Sequence, residues 1–92
     1  MITVMFKREH KDGLLVSEIY VRGKRVVFQN DRAAWVLPDA GPHVIHWRIF
    51  GPTGSSLVVT RAVGDGEPET IVTSEIEAKH KGRHSDATLF TA

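Results

Sequence analysis

The 92-residue chain fits one domain, since domains run from about 50 to 250 residues, and its composition, 41% hydrophobic and 25% charged, is that of a globular protein. Its formal net charge of +1 argues against the broad basic surface that sequence-independent nucleic-acid binding needs, so no nucleic acid is expected as a partner. Because the chain has no cysteine, no apolar run near the roughly 20 residues of a membrane helix and no signal-peptide pattern, we expect it to be cytoplasmic by default, with no membrane partner.

Most of the chain alternates between apolar and polar residues with period two, the pattern of half-buried β-strands, and helical periodicity is nearly absent. Turn signals rich in glycine and proline interrupt the pattern about every 8–12 residues, a spacing typical of sandwiches and small barrels. In chain order, the predicted strands cover residues 2–7, 14–22, 26–28, 33–37, 43–50, 57–63, 70–80 and 88–91. We therefore predict an all-β fold in which residues 1–92 form a single β-domain, a small antiparallel β-sandwich or partly open barrel of about seven to eight short strands.

Two segments carry more specific local signals. Gly23 and Lys24 are predicted to form a two-residue hairpin loop, because glycine at the first loop position suits a type II′ turn. Residues 74–81 fit two structures, since Ser74 and Glu77 have the spacing of a helical capping box, whereas the β-branched residues before them favour a strand. We predict the strand, with the helix as the alternative.

The five histidines of the chain do not form a metal-binding motif. His43 and His46 lie three residues apart on a predicted strand, so their side chains face opposite ways. His80 and His84 flank a glycine turn and could converge with Asp86, but zinc sites usually take three or four ligands held by further hydrogen bonds. We therefore predict no metal site and no cofactor.

Catalytic motifs are also missing from the sequence. Glu75 and Glu77 share one predicted strand face and point toward water, so nothing separates them into an acid and a base. The chain has no cysteine nucleophile and no Gly-x-Ser-x-Gly motif, and no glycine-rich loop precedes a helix. The prediction is that the protein is not an enzyme and has no catalytic residue.

Two predicted strands, over residues 33–37 and 43–50, carry apolar residues on both faces, unlike the clean alternation of a half-buried antiparallel strand. Trp47 shares one face with Ile45 and Ile49 and is predicted to be the central core residue. The second face is explained by a tightly wrapped barrel, by a covering loop, or by packing against another chain. For the last explanation, the interface candidates are Val44, His46, Arg48, Phe50 and Trp35.

These observations favour a non-enzymatic protein-interaction module whose partner is another protein or a second copy of itself. Contact is expected through a strand edge or through the second apolar face, and a homodimer is the first state to expect. The alternative is a small sugar- or ligand-binding domain that uses Trp35 or Tyr20 as an aromatic platform, with Asn30, Asp31 and Arg32 as polar partners.

Overall fold

The computed structural model of the protein describes all 92 residues and confirms the all-β prediction. In chain order the elements are β1 (Ile2–Lys11), β2 (Val16–Val21), β3 (Lys24–Arg25), β4 (Arg32–Leu37), β5 (His43–Phe50), β6 (Ser56–Val63), β7 (Glu69–Glu75), a single 3-10 turn (Ala78–His80) and β8 (Arg83–Phe90). No helix has the length and the apolar character that are needed to span a membrane.

The strands form two antiparallel four-stranded sheets that pack as a small β-sandwich. The first, which we call the β1 sheet, has the strand order β4-β1-β6-β7, and the second, the β5 sheet, has the order β3-β2-β5-β8. Strands β4, β7, β3 and β8 are therefore the sheet edges. Of the two architectures predicted from the sequence, the structure is the sandwich.

Side chains from the inner faces of both sheets form one core of 16 buried apolar residues. Phe6 of β1 and Phe90 of β8 meet edge to face across the sandwich, with ring centroids 5.6 Å apart. Trp47 is 5% exposed, lies between Ile45 and Ile49 on the inner face of β5, and pairs across the ladder with Ile19 of β2. The prediction that Trp47 is a core residue is confirmed.

The hairpin after β2 differs from its prediction by one residue. Val21 pairs with Lys24, so the two-residue loop is Arg22-Gly23 and not Gly23-Lys24. Both loop residues have positive φ, +52° and +79°, which is the geometry of a type I′ turn and suits the twist of the strands that it joins. The strand predicted over residues 26–28 is absent, because after Arg25 only the N–H of Val26 still bonds to β2, at the carbonyl of Ile19.

The segment after β7 combines the two alternatives left open by the sequence. The strand ends at Glu75, and a 3-10 turn follows, with Glu77 and not Ser74 as its N-cap. Ser74 is instead buried on the inner face of β7. The last strand begins at Arg83, well before the predicted residue 88. Its first residues are polar on both faces, because β8 is an edge strand and its inner face is partly exposed, so they show no apolar alternation.

Candidate functional site

The outward side chains of β2, β5 and β8 lie side by side on one sheet face, which we call the outer β5 face. Strand alternation brings them there, because successive side chains point to opposite faces and the inward ones fill the core. Its members are Val16, Glu18 and Tyr20 of β2, Val44, His46, Arg48 and Phe50 of β5, and Arg83, Ser85, Ala87 and Leu89 of β8.

Four of the predicted interface candidates therefore share this face, namely Val44, His46, Arg48 and Phe50. Trp35 does not join them. It lies on β4 of the other sheet, is half-buried, and packs against the core. It lines a cavity of about 470 Å³ with Val21 and Pro38 among others, at the opposite edge of the sandwich from β7 and β8.

Aromatic and polar side chains on the outer β5 face hold one another in position. The ring of Tyr20 stacks on that of His46, with centroids 5.5 Å apart, and its hydroxyl donates a hydrogen bond of 2.9 Å to Glu18. His46 Nε2 lies 3.1 Å from the hydroxyl oxygen of Ser85. Arg48 pairs across the ladder with Glu18 but forms no salt bridge within the chain.

The apolar members of this face remain open to solvent. Val44 is 49% exposed and its cross-strand neighbour Leu89 is 61% exposed, while Val16 and Phe50 pair at the other end of the ladder. The water-facing side of a sandwich sheet is normally polar. On this face, two apolar pairs flank a central polar row of Glu18, Arg48 and Ser85. Exposed apolar groups beside polar ones are typical of protein contact surfaces.

The residues proposed for sugar or ligand binding are not brought together. Asn30, Asp31 and Arg32 line a cavity of about 710 Å³ beside β1, whereas Trp35 lines a different cavity. Tyr20 lies on the outer β5 face, stacked on a histidine. An aromatic platform with those polar partners is therefore not assembled.

The histidines are placed much as their spacing predicts. His43 is buried with Nε2 2.9 Å from the carbonyl oxygen of Asp39, while His46 faces outward. His80 and His84 do converge, with stacked rings whose centroids are 3.9 Å apart. Stacked imidazoles direct their lone pairs side by side and not toward a shared ion, and no three His, Asp or Glu side chains are grouped closely enough to hold a metal.

A polar cluster at one end of the sandwich was missed by the sequence reasoning. His10 Nε2 lies 2.7 Å from the hydroxyl of the buried Ser17, and the Arg8 guanidinium pairs with Asp31 at 3.0 Å. Because the carboxylate is held by the arginine, the serine and histidine do not form a triad with it. The sequence does contain a pattern that predicts this cluster. Val4 and Phe6 point inward on β1, and the next two inward positions are the polar residues Arg8 and His10.

This cluster makes stability depend on pH. Burial, reinforced by the charge of Arg8 and partly offset by Asp31, lowers the pKa of His10 below its usual 6.5. The unfolded chain therefore binds the proton more readily, so stability is full above about pH 6.5 and falls as the pH drops toward the lowered folded-state pKa. We expect His10→Gln to reduce the loss of Tm between about pH 7 and pH 5, as measured by thermal unfolding. An unchanged loss in the variant would contradict this role of His10.

Similarity to known proteins adds nothing to this geometry. No model of a protein family matches the chain, and neither a curated protein nor a solved structure matches it. The function proposed below therefore rests on the arrangement of side chains in the fold, above all on the outer β5 face.

Proposed function

We propose that the protein is a non-enzymatic interaction module that self-associates as a homodimer through the outer β5 face. The observation that carries the proposal is the set of apolar and aromatic side chains on that face, of which Val16, Val44 and Leu89 are exposed and Tyr20 and Phe50 are half-buried. Exposed apolar patches favour association, so these side chains support a contact between this face and another protein surface.

The register of β2 and β5 supports a pairing of two identical copies. Val16, Glu18 and Tyr20 lie directly opposite Phe50, Arg48 and His46. A two-fold axis in the interface, parallel to the strands and midway between β2 and β5, lays β2 of one copy over β5 of the other. Each residue then faces its own cross-strand partner from the second copy, which is the self-complementarity that an isologous dimer requires.

Charge supports the same alignment. In this pairing Glu18 of each copy faces Arg48 of the other, whose guanidinium has no carboxylate partner within its own chain. Such a pair mainly sets the register, because the cost of desolvating two charges offsets much of their attraction. The rows on either side, Val16 facing Phe50 and Tyr20 facing His46, supply the affinity, at about 25 cal/mol for each Å² of apolar surface removed from water.

Replacing Phe50 by glutamate tests the interface. Phe50 points outward, so the charge is expected to leave the β fold intact while it raises the dimer Kd roughly 30-fold, the effect of losing an interface residue worth about 2 kcal/mol. Sedimentation equilibrium measures the Kd, and far-UV circular dichroism checks the fold. The matched control is Val36→Glu on the outer face of the other sheet, which should dimerise like the parent.

A charge exchange tests the two-fold alignment itself. Glu18→Arg alone places two arginines together across the interface and is expected to weaken the dimer, whereas adding Arg48→Glu restores an opposite-charge pair and much of the affinity. A parent that stays monomeric at high micromolar concentration refutes the proposal. So does equal dimerisation of the Phe50→Glu and Val36→Glu variants.

A further inference from the structure

A groove runs between β7 and β8, where the two sheets part at one edge of the sandwich. Its volume is about 530 Å³, and it opens at the edge between the sheets, where Ala87 of the outer β5 face borders it. Residues 71–75 and 86–88 line it, each a run of consecutive residues. Since successive side chains alternate between faces, such runs mean that the main-chain edges of both strands border the groove.

The ladder register shows which groups of β8 are unpaired. The N–H of Arg22 donates to the carbonyl of Val44, so the main-chain groups of Val44 point to β2. Main-chain groups alternate in direction along a strand, so residues 44, 46, 48 and 50 of β5 point to β2, and residues 43, 45, 47 and 49 point to β8. Ser85, Ala87 and Leu89 of β8 pair with Arg48, His46 and Val44, whose main-chain groups point to β2. The main-chain groups of these three β8 residues therefore point away from β5. The N–H of Ala87 accordingly bonds to the Asp86 carboxylate at 2.8 Å and not to another strand.

The interior of this edge is also incompletely covered. Asp86 and Thr88 are on the inner face of β8, where they pair with Trp47 and Ile45, yet both are exposed because β7 does not reach over them. Trp47 lines the groove, and its buried Nε1 has no hydrogen-bond acceptor in the chain. A buried donor without an acceptor is costly, so an acceptor on an inward-facing side chain of a ligand would satisfy it.

The groove carries mainly acidic side chains, and this charge determines which extended ligands it favours. Glu75, Glu77 and Asp86 line it together with a single lysine, Lys79, whose ammonium already lies 3.2 Å from Glu77. Two histidines, His80 and His84, also line it and are formally neutral at pH 7. The carboxylates therefore outnumber the cations, which favours a ligand with basic side chains.

We propose that the groove binds a basic, extended peptide segment of a partner protein, which adds to β8 as a fifth strand of the β5 sheet. The main-chain groups of Ser85, Ala87 and Leu89 that point away from β5 would bond to its main chain, with the Ala87 N–H exchanging the Asp86 carboxylate for a peptide carbonyl. The inward side chains of the peptide would cover Trp47 and Thr88. This site shares β8 with the proposed dimer, but the peptide pairs with the main-chain edge of the strand, whereas the dimer uses its outward side chains.

A titration of the ¹⁵N-labelled protein tests the site, with a peptide of about ten residues that alternates lysine and valine as the probe. We expect saturable amide shifts in β7, in β8 and at the indole N–H of Trp47, and roughly ten-fold weaker binding of the matched peptide that alternates glutamate and valine. Shifts elsewhere, no saturation, or equal binding of the two peptides would overturn the proposal. So would concentration-dependent shifts of β8 without peptide in the Phe50→Glu variant, whose outer β5 face is not expected to dimerise, because they would mean that a second copy occupies the edge.

Two N-methylated peptides test strand addition without altering the protein. One carries methyl groups on the amides of every lysine, the other on those of every valine. Because a strand pairs through alternate residues, one peptide is expected to bind roughly ten-fold more weakly and the other to bind like the unmethylated probe. An equal effect of both would exclude an added strand.

Proline variants test the edge from the side of the protein. Ala87→Pro removes an N–H from the free edge of β8 while the bonds to β5 remain, and we expect roughly ten-fold weaker binding of the lysine–valine peptide. Ala34→Pro is the matched control, an exposed alanine on the edge strand β4 of the other sheet, and should bind the peptide like the parent. Equal binding by both variants, each with an intact β spectrum, would contradict the assignment to β8.

Discussion

Replacing Trp47 by alanine is expected to lower the free energy of unfolding by about 3–5 kcal/mol. The side chain is 5% exposed and belongs to the single core that joins the two sheets, so its removal leaves a cavity. Small domains are stable by only about 5–15 kcal/mol, so the variant is expected to be close to unfolding. Equilibrium denaturation at one protein concentration, followed by circular dichroism, measures the loss.

Two further variants are controls for Trp47→Ala: one removes only the polar group of Trp47, and the other removes a less buried tryptophan. Trp47→Phe keeps most of the ring and removes the Nε1 donor that lacks an acceptor, so we expect a loss below about 1.5 kcal/mol. Trp35→Ala removes the half-buried tryptophan at the other edge and should cost about 1–2 kcal/mol. If Trp47→Ala unfolds within a degree or two of the parent, Trp47 does not anchor the core.

Phe6→Ala is expected to cost about 3–5 kcal/mol as well, for a different reason. Phe6 is fully buried on β1 and meets Phe90 of β8 edge to face, so this contact ties the central strand of one sheet to the edge strand of the other. Its loss removes both apolar burial and a favourable aromatic pair. Chemical denaturation monitored by tryptophan fluorescence measures the change.

The neighbouring Met5 provides the control for Phe6. It is the adjacent residue on β1 but points outward and is 45% exposed, so Met5→Ala should change stability by no more than about 0.5 kcal/mol. Similar losses in Phe6→Ala and Met5→Ala would mean that the inward and outward faces of β1 are not distinguished energetically. That result would contradict the sandwich described above.

The amino-acid sequence by itself determined the features that follow from alternation along one strand. The period-two pattern identified the all-β class, placed Trp47 with Ile45 and Ile49 in the core, and put Val44 and Phe50 together on the opposite face. These predictions succeed because side-chain direction along a strand is set by local backbone geometry. The separation of His43 from His46 onto opposite faces follows from the same rule.

Tertiary structure alone decided which segments became neighbours. Trp35 was grouped with the β5 residues because its segment is apolar, but strand pairing places it in the other sheet. The contact of His10 with Ser17, the convergence of His80 with His84, and the groove between β7 and β8 all join segments whose proximity is not encoded in any local pattern. The physical reason is that alternation specifies which face a side chain occupies, whereas the pairing of strands and the covering of edges depend on packing of the whole chain.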